Sequence, residues 1–242
     1  MRTDKRADCE MRKVTLTPDF TKYAGGSVLC EFGETKVLCT AMIEEGAPAF
    51  LKGTGRGWLT AEYAMLPSST QNRKRRENAK NGADSRSVEI SRLIGRSLRC
   101  AFDLTKLGER TVYVDCDVLQ ADGGTRTASI SGGYTAAVIA LDRLLGKSGD
   151  RSYLVGPVAA VSAGYVGGTA LLDLCYSEDS NAEADVNIVM LMDSIAEIQG
   201  TGEKRAISRA ELNKLMDMAQ SGIKELYALQ RAARVAALGG AK

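Results

Sequence analysis

The chain has 242 residues, 44% of them hydrophobic, which is enough to bury a substantial core and excludes a mainly disordered protein. It contains no histidine, so Ser-His and Cys-His nucleophilic sites, histidine general bases and histidine zinc ligands are excluded. Any catalysis must therefore use carboxylates, hard metal ions, Lys, Arg or backbone groups.

The formal net charge is only +2, but it is unevenly distributed. Residues 72–99 contain nine Lys or Arg against three acids, a net of +6. Residues 173–203 contain eight acids and neither Lys nor Arg. A basic block combined with an acidic block is typical of a protein that binds a polyanion next to a metal or proton-transfer centre.

The six cysteines form no C-x-x-C pair, which argues against structural zinc. Most of them lie in apolar contexts, which indicates small buried thiols in a reducing compartment. No apolar run approaches membrane-spanning length, and the N-terminus lacks the apolar segment of a secretory leader. We therefore expect a cytoplasmic protein that has no membrane partner.

Alternating apolar residues and turn signals predict short strands in the first third of the chain. The second and third strands are joined at Gly33 and Glu34, which predicts a hairpin. The predicted strands span 12–17, 27–32, 36–43 and 60–67.

Four adjacent cations follow the last of these strands. They are Arg73, Lys74, Arg75 and Arg76, in a polar segment whose composition suits an exposed loop or a frayed helix. A solvated charged face is one interpretation. Four consecutive cations exceed what a surface helix needs, so we favour contact with an RNA backbone.

An amphipathic helix is predicted over 87–102, with an apolar stripe that includes Ile90 and Leu98. Arg92, Arg96 and Arg99 lie on the opposite side, about 200° from that stripe. No acid stands four residues away along the helix, so helical salt bridges do not explain them. Contact with RNA and contact with acids of another subunit both remain open.

A strand over 111–119 is predicted to end at Asp122, Gly123 and Gly124 and to be followed by a helix over 128–145. Gly124, Thr125 and Arg126 then lie at a helix N-terminus, where free amides, a hydroxyl and a guanidinium suit a phosphate. An ordinary turn beside an unrelated arginine is equally compatible with this stretch alone. Arg86, just before the 87–102 helix, would add a second guanidinium.

The second half predicts four more strands and a long helix that begins at Ser208, where Ser208 and Glu211 form a capping box. No proline-rich or low-complexity linker separates the halves, which favours one domain. The predicted strands span 153–161, 169–176, 186–192 and 195–199.

Asp179 and Asp185 lie in an acidic stretch between two of these strands. Magnesium prefers one or two carboxylates together with water and substrate oxygens, which makes this pair a candidate metal site. Solvated acids in a turn are the alternative interpretation.

Six segments, taken in order, resemble the bacterial ribonuclease PH family, and the one containing DGGTRT is the most specific. The resemblance covers residues 1–231. It implies the RNase PH fold: a single compact α/β (α+β) domain of mixed sheets packed with helices over 1–231, followed by a frayed tail at 232–242. The segments are GWLTAEYAMLP, STQNRKRRE, EISRLIGRSLR, LGERTVYVDCDVLQADGGTRTASISG, LDLCYSEDSNAEADVNIVM and IQGTGE.

The resemblance also implies an activity and partners. A member of this family is a phosphorolytic 3′-to-5′ exoribonuclease, or tRNA nucleotidyltransferase, which trims transfer RNA precursors and processes ribosomal RNA with inorganic phosphate as co-substrate. It releases nucleoside diphosphates, uses Mg²⁺ and forms a homohexamer built as a trimer of dimers.

By resemblance, phosphate is held by Arg86, Gly124, Thr125 and Arg126, and the metal is linked to Asp179 and Asp185. Arg126 and the two acids are then the catalytic residues. RNA binding is assigned to Arg73, Lys74, Arg75, Arg76, Arg92, Arg96 and Arg99.

The chain departs from the family pattern in three places. Ser85-Arg86-Ser87 replaces G-R-T, and Gly202 replaces the alanine of G-T-A-E. In the R-x-T-H-x-R segment, Ser68 and Gln71 replace an arginine and the histidine, and Lys74 and Arg75 stand nearby as candidate substitutes.

Two other functions remain as alternatives to phosphorolysis. One is a hydrolytic, magnesium-dependent nuclease. The other is a non-catalytic RNA-binding ring subunit of an exosome-like assembly, against which the complete set of phosphate and metal residues argues.

Overall fold

The computed structural model describes residues 2, 4–76, 82, 84–146 and 150–239. In this part of the chain nine strands form two sheets, and four α-helices pack with them. The strands are β1 (Val14–Pro18), β2 (Gly26–Phe32), β3 (Thr35–Glu45), β4 (Trp58–Met65), β5 (Arg110–Gln120), β6 (Val158–Val166), β7 (Thr169–Leu172), β8 (Ala184–Leu191) and β9 (Ser194–Thr201). The helices are α1 (Ser85–Arg99), α2 (Thr125–Leu145), α3 (Tyr176–Asp179) and α4 (Arg209–Gly239).

The first sheet has the strand order β1-β2-β3-β5-β4. Its pairs are antiparallel except β4 and β5, which are parallel and connected through α1. The second sheet, β7-β6-β8-β9, is antiparallel throughout. The predicted β2–β3 hairpin is confirmed, and Gly33 takes the positive φ of +57° that its tight turn requires. A mixed α/β fold is thus confirmed.

Helix α2 lies between the two sheets and packs on β2, β3 and β6. Seventeen of its 21 residues are buried, so it has no wide polar face. The approach is close: a Cβ on Gly26 of β2 would lie 2.1 Å from the Ala136 carbonyl oxygen. One hydrophobic core therefore extends through both sheets, with α2 at its centre.

Helix boundaries followed the local signals closely. Asp84 caps α1 by accepting a hydrogen bond from the Arg86 amide, so the helix starts two residues before the prediction. The capping box at the start of α4 is confirmed: the Ser208 amide donates to Glu211 at 2.7 Å, and the Glu211 amide donates to the Ser208 hydroxyl at 3.2 Å. The capping-box contacts join residues three positions apart, which explains why the sequence alone identified that box, whereas the Asp84 cap was not predicted.

Two predictions in the second half were wrong. The strand predicted over 153–161 lies at Val158–Val166, because Tyr153 instead hydrogen-bonds Asp142 and β6 is buried on both faces, without the alternation that marks strand ends. The strand predicted over 169–176 ends at Leu172. The short helix α3 follows it, too brief to produce a periodic signal.

The expected frayed tail from residue 232 is corrected by α4, which continues to Gly239. Ala233 and Ala237 are buried in the core, and Arg234 forms an ion pair with Asp142, so this last stretch of the helix is anchored. Residues 240–242 lie outside the described residues.

Most of the cysteine thiols are buried, as predicted from the sequence. All six cysteines are free, and four of them are buried. No helix within the described residues has the length and apolar character needed to cross a membrane.

Candidate functional site

A cavity of about 1040 Å³, the main cavity, lies where the N-termini of α1 and α2 meet α3, β8 and β9. The candidate site residues were predicted in separate segments of the sequence, and the structure brings these segments together. The outermost two, Arg86 and Asp185, are 99 positions apart. The predicted site residues that line it are Arg86, Gly124, Thr125, Arg126, Asp179 and Asp185.

The turn that enters α2 requires two glycines. Gly123 and Gly124 have φ of +75° and +64°, in the left-handed region. A Cβ on Gly123 would lie 2.6 Å from the Leu174 carbonyl oxygen, so the turn also packs directly on the segment before α3. Gly124 is the helix N-cap and provides no side-chain cap. The first-turn amides and the positive end of the α2 dipole are therefore suited to an anion in the cavity.

Thr125 and Arg126 are both held by neighbours that the sequence did not predict. The Thr125 hydroxyl lies 2.9 Å from the hydroxyl of buried Tyr63. Arg126 donates a hydrogen bond to the Gln199 side-chain oxygen and lies 3.7 Å from Glu89. The Gln199 amide in turn donates to Glu89 at 2.6 Å. These partners come from β4, α1 and β9, and no local motif marks them.

Asp179, at the end of α3, and Asp185, in β8, supply the acidic side of the cavity. Burial raises the pKa of Asp179, and nearby Arg86 and Arg126 act in the opposite direction. Burial also raises the pKa of Asp185, and repulsion from Asp179 and Glu203 adds to the effect. Two guanidiniums and a group of mutually repelling carboxylates therefore share one cavity.

A divalent cation fits this donor set. Within the described residues there is no cluster of three or more His, Cys, Asp or Glu side chains arranged as metal ligands. Mg²⁺ usually binds one or two carboxylates and completes its shell with water and substrate oxygens, which matches Asp179 and Asp185. A bound cation would relieve the repulsion that raises the pKa of Asp185.

The four adjacent cations divide into two pairs. Arg73 and Lys74 line the main cavity, and the Lys74 ammonium lies 3.7 Å from Asp84. Arg75 and Arg76 are exposed and are not part of its wall. Lys80, which belongs to the same basic block, lies outside the described residues.

Arg92, Arg96 and Arg99 line a different cavity, of about 800 Å³, beside β4. Arg96 forms an ion pair with Glu197 of β9 at 2.5 Å, a partner from its own chain that the helical spacing could not indicate. The Arg99 guanidinium lies 4.5 Å from the centre of the Trp58 ring. Arg96 therefore has an intramolecular partner, and contact of these arginines with RNA or with another subunit stays a prediction.

Comparisons with known proteins cover most of the chain. The RNase PH model, described as a 3′ exoribonuclease family, matches residues 10–142 with its domain 1 and residues 156–222 with its domain 2. Ribonuclease PH from Crocosphaera subtropica is 54% identical over 235 residues, which cover 96% of this chain and 97% of that protein.

Solved structures share the fold at low sequence identity. Rice (Oryza sativa) Rrp46 superposes with a TM-score of 0.79 at 16% identity, over 96% of this chain and 100% of that one. The Archaeoglobus fulgidus exosome with RNA bound to the active site superposes with a TM-score of 0.76 at 24% identity, over 93% and 91% of the two chains.

Proposed function

This chain belongs to the RNase PH family of 3′ exoribonucleases, and we propose that it trims transfer RNA precursors from their 3′ ends by phosphorolysis. An oxygen of inorganic phosphate attacks the last phosphodiester, and the bond from phosphorus to the 3′ oxygen breaks. The products are a nucleoside diphosphate and an RNA that is one nucleotide shorter. The observation that supports this most is the main cavity, which combines the Arg86 and Arg126 guanidiniums and the α2 N-terminus with the Asp179 and Asp185 carboxylates.

Arg86, Gly124, Thr125 and Arg126 hold the attacking phosphate in this proposal. Phosphate is already an anion at neutral pH, so it needs less general-base assistance than a hydroxyl group, which suits a chain without histidine. The difficulty is instead the approach of two anions. The guanidiniums, the Thr125 hydroxyl and the α2 amides offset this repulsion from fixed positions.

Asp179 and Asp185 hold Mg²⁺ in the proposal. When bound, the ion supplies charge neutralisation at the phosphoryl oxygens of the reacting bond. The two carboxylates would hold the ion in the same cavity as Arg86 and Arg126, so the ion and the guanidiniums would both offset the charge of the reacting phosphoryl group.

The RNA backbone enters along the basic wall of the main cavity. Arg73 and Lys74 line that wall, and exposed Arg75 and Arg76 extend the positive surface beyond it. Arg92, Arg96 and Arg99 belong to a separate surface, for which contact with RNA or with a neighbouring subunit is proposed. We also propose a cytoplasmic homohexameric ring, a trimer of dimers, as the family resemblance implies.

Product identity tests the proposal. Precursor RNA is incubated with the protein and Mg²⁺, with and without inorganic phosphate, and the released nucleotides are separated by chromatography. We expect nucleoside diphosphates, and only when phosphate is present. Asp185→Asn should abolish release, whereas Asp193→Asn, at an exposed acid outside the cavity, should not.

Two results would contradict phosphorolysis. Nucleoside monophosphates formed without phosphate would indicate the hydrolytic alternative. Tight RNA binding without release of any nucleotide would indicate the non-catalytic ring subunit.

A further inference from the structure

A buried ion pair connects the two halves of the main cavity, which are the turn at 122–124 that enters α2 and the segment that leads into α3. The Arg12 guanidinium forms a forked contact with Asp173, at 2.7 Å to one carboxylate oxygen and 3.0 Å to the other. The Arg12 backbone amide donates to the same carboxylate at 2.8 Å. Arg12 is 6% exposed and Asp173 is fully buried. Neither side chain lines the cavity.

Arg12 also hydrogen-bonds to the turn that carries the proposed phosphate site. Its guanidinium donates to the Asp122 carbonyl oxygen at 2.5 Å and to the Gly123 carbonyl oxygen at 3.4 Å. Thr35 supports the same turn, since its hydroxyl donates to the Gly123 carbonyl at 2.6 Å and accepts from the Asp122 amide at 2.9 Å. The next residue, Gly124, begins α2.

Asp173 belongs to the other half of the site. It has a φ of +53°, a strained conformation for a residue with a side chain, and it lies just before α3. The Tyr176 amide at the start of α3 donates to the Asp122 carboxylate at 3.2 Å, which is a second direct contact between α3 and the turn before α2. Asp179 follows at the end of the same short helix.

The N-terminal segment makes a parallel contact at Glu178. Arg2 donates to both Glu178 oxygens at 2.8 Å and to the Asp173 carbonyl oxygen at 3.1 Å. Glu178 also accepts from the Cys175 amide at 3.1 Å and so caps α3 from within. The residue immediately before Asp179 is therefore fixed to the segment that carries Arg12.

We propose that Arg12 and Asp173 are positioning residues that set the separation between the phosphate-holding turn at 122–124 and the Asp179 carboxylate. This inference rests on the proposed function. A buried ion pair is often no more stabilising than apolar residues of equal volume. Strain at a fully buried acid, together with contacts to both halves of one cavity, points instead to a role in geometry. A misplacement of about 1 Å can reduce a rate about 100-fold.

The test compares two forked Arg–Asp pairs, each of which has a buried carboxylate. Arg12→Lys keeps the positive charge but loses the fork. Arg234→Lys makes the same change in the Arg234–Asp142 pair, whose contacts are 2.5 and 2.8 Å and which lies between α4 and α2, outside the main cavity. Both variants should unfold at lower temperature than the wild type. Only Arg12→Lys should reduce kcat, by about 100-fold at saturating phosphate.

A second readout does not depend on turnover. Phosphate binding to the RNA-free protein, measured by calorimetry, should weaken at least several-fold in Arg12→Lys and stay within twofold of wild type in Arg234→Lys. RNA binding should be unchanged in both. Thr35→Val removes the two hydroxyl contacts to the turn and a 3.4 Å contact from the Arg12 guanidinium, but keeps both partners of the ion pair. It should therefore produce a smaller phosphate-binding defect. It also provides the comparison if Arg12→Lys does not fold.

Equal losses of kcat and phosphate affinity in Arg12→Lys and Arg234→Lys would overturn the inference, because both pairs would then act through stability alone. Wild-type phosphate affinity in Thr35→Val, with Arg12→Lys unfolded, would overturn it as well. Failure of the proposed function is a separate result: wild type and Arg234→Lys would then release no nucleoside diphosphate when phosphate is added.

Discussion

At the scale of single residues, Arg126 illustrates how a side chain is prepared for an anion. An arginine has five N–H donors, and Gln199 and Glu89 engage only part of this set. Because those two contacts hold the Nη1 end of the guanidinium in place, the remaining donors can meet a phosphate with a smaller loss of side-chain freedom. The sequence predicted a phosphate contact for Arg126 from its place at a helix N-terminus, but Glu89 and Gln199 lie 37 and 73 residues away, and only folding brings them to it.

We predict that Arg126→Ala reduces phosphate-dependent nucleotide release at least 100-fold, because removal of one preorganised donor at a developing charge typically costs this much. RNA affinity should stay within about twofold, since the basic wall is intact. Rates from single-turnover assays and affinities from filter binding measure the two effects. Arg143→Ala, in the last turn of the same helix, is the control and should retain the wild-type rate. Arg126→Ala with more than a tenth of wild-type activity would contradict the proposed site.

At the scale of elements, α2 is held against α4 by a buried carboxylate. Asp142 accepts hydrogen bonds from Arg234 and from the Tyr153 hydroxyl, the latter at 2.6 Å. Burial on its own would raise the pKa of Asp142, but the hydrogen bonds and charge of Arg234 and the hydroxyl of Tyr153 outweigh it and lower that pKa below 3.8. The carboxylate therefore joins α2, α4 and the segment before β6.

The sign of this shift predicts how stability depends on pH. The folded pKa of Asp142 is lower than the unfolded one, so its contribution is complete above about pH 4 and is lost as the pH falls through the folded value. Asp142→Asn should lower the free energy of unfolding by roughly 3 kcal/mol at pH 7, because it leaves Arg234 without a charged partner. The difference from wild type should shrink at pH 3.

Urea denaturation at the two pH values measures this effect. Asp217→Asn, at an exposed position of α4, is the matched control and should change stability by less than about 0.5 kcal/mol. An Asp142→Asn defect of equal size at pH 7 and pH 3 would show that shape, and not charge, holds the two helices together.

At the scale of the whole molecule, opposite charges are separated over one cavity. The basic block contributes the wall at Arg73 and Lys74, while the acidic stretch contributes Asp179 and Asp185. A net charge of +2 conceals this arrangement, which would attract an RNA backbone to one side and a cation to the other.

Neutralising Arg73, Lys74, Arg75 and Arg76 together should weaken RNA binding and reduce its dependence on salt. Each lost phosphate contact lowers the slope of log affinity against log salt by about 0.7 for a single strand and about 0.9 for a duplex, so four contacts lower it by about 2.8 and about 3.6 respectively. The slope is obtained from affinities measured at salt concentrations from about 50 to about 300 mM. Neutralising Lys214, Lys224 and Arg231, on exposed positions of α4, is the control. An unchanged slope in the first variant would mean that those four cations form only a solvated surface.

The sequence by itself determined the features that depend on nearby residues. The glycine pair before α2, the hydroxyl and guanidinium at its N-terminus, the β2–β3 hairpin and the capping box at Ser208 all depend on contacts within a few residues. The family motifs lie in the same short segments, which is why the mixed α/β fold and the candidate phosphate and metal residues could be predicted from the amino-acid sequence alone.

Only the tertiary structure decided which of these segments share a cavity. Arg86, Arg126, Asp179 and Asp185 meet because α2 is buried between two sheets that present α1, α3 and β8 at the same end. Packing on both faces of β6 also set the limits of that strand, which sequence alternation could not indicate. The pairing of Arg96 with Glu197 and of Arg12 with Asp173 spans more than 100 residues, and contacts at such separation follow from the packing of the whole chain and not from local propensity.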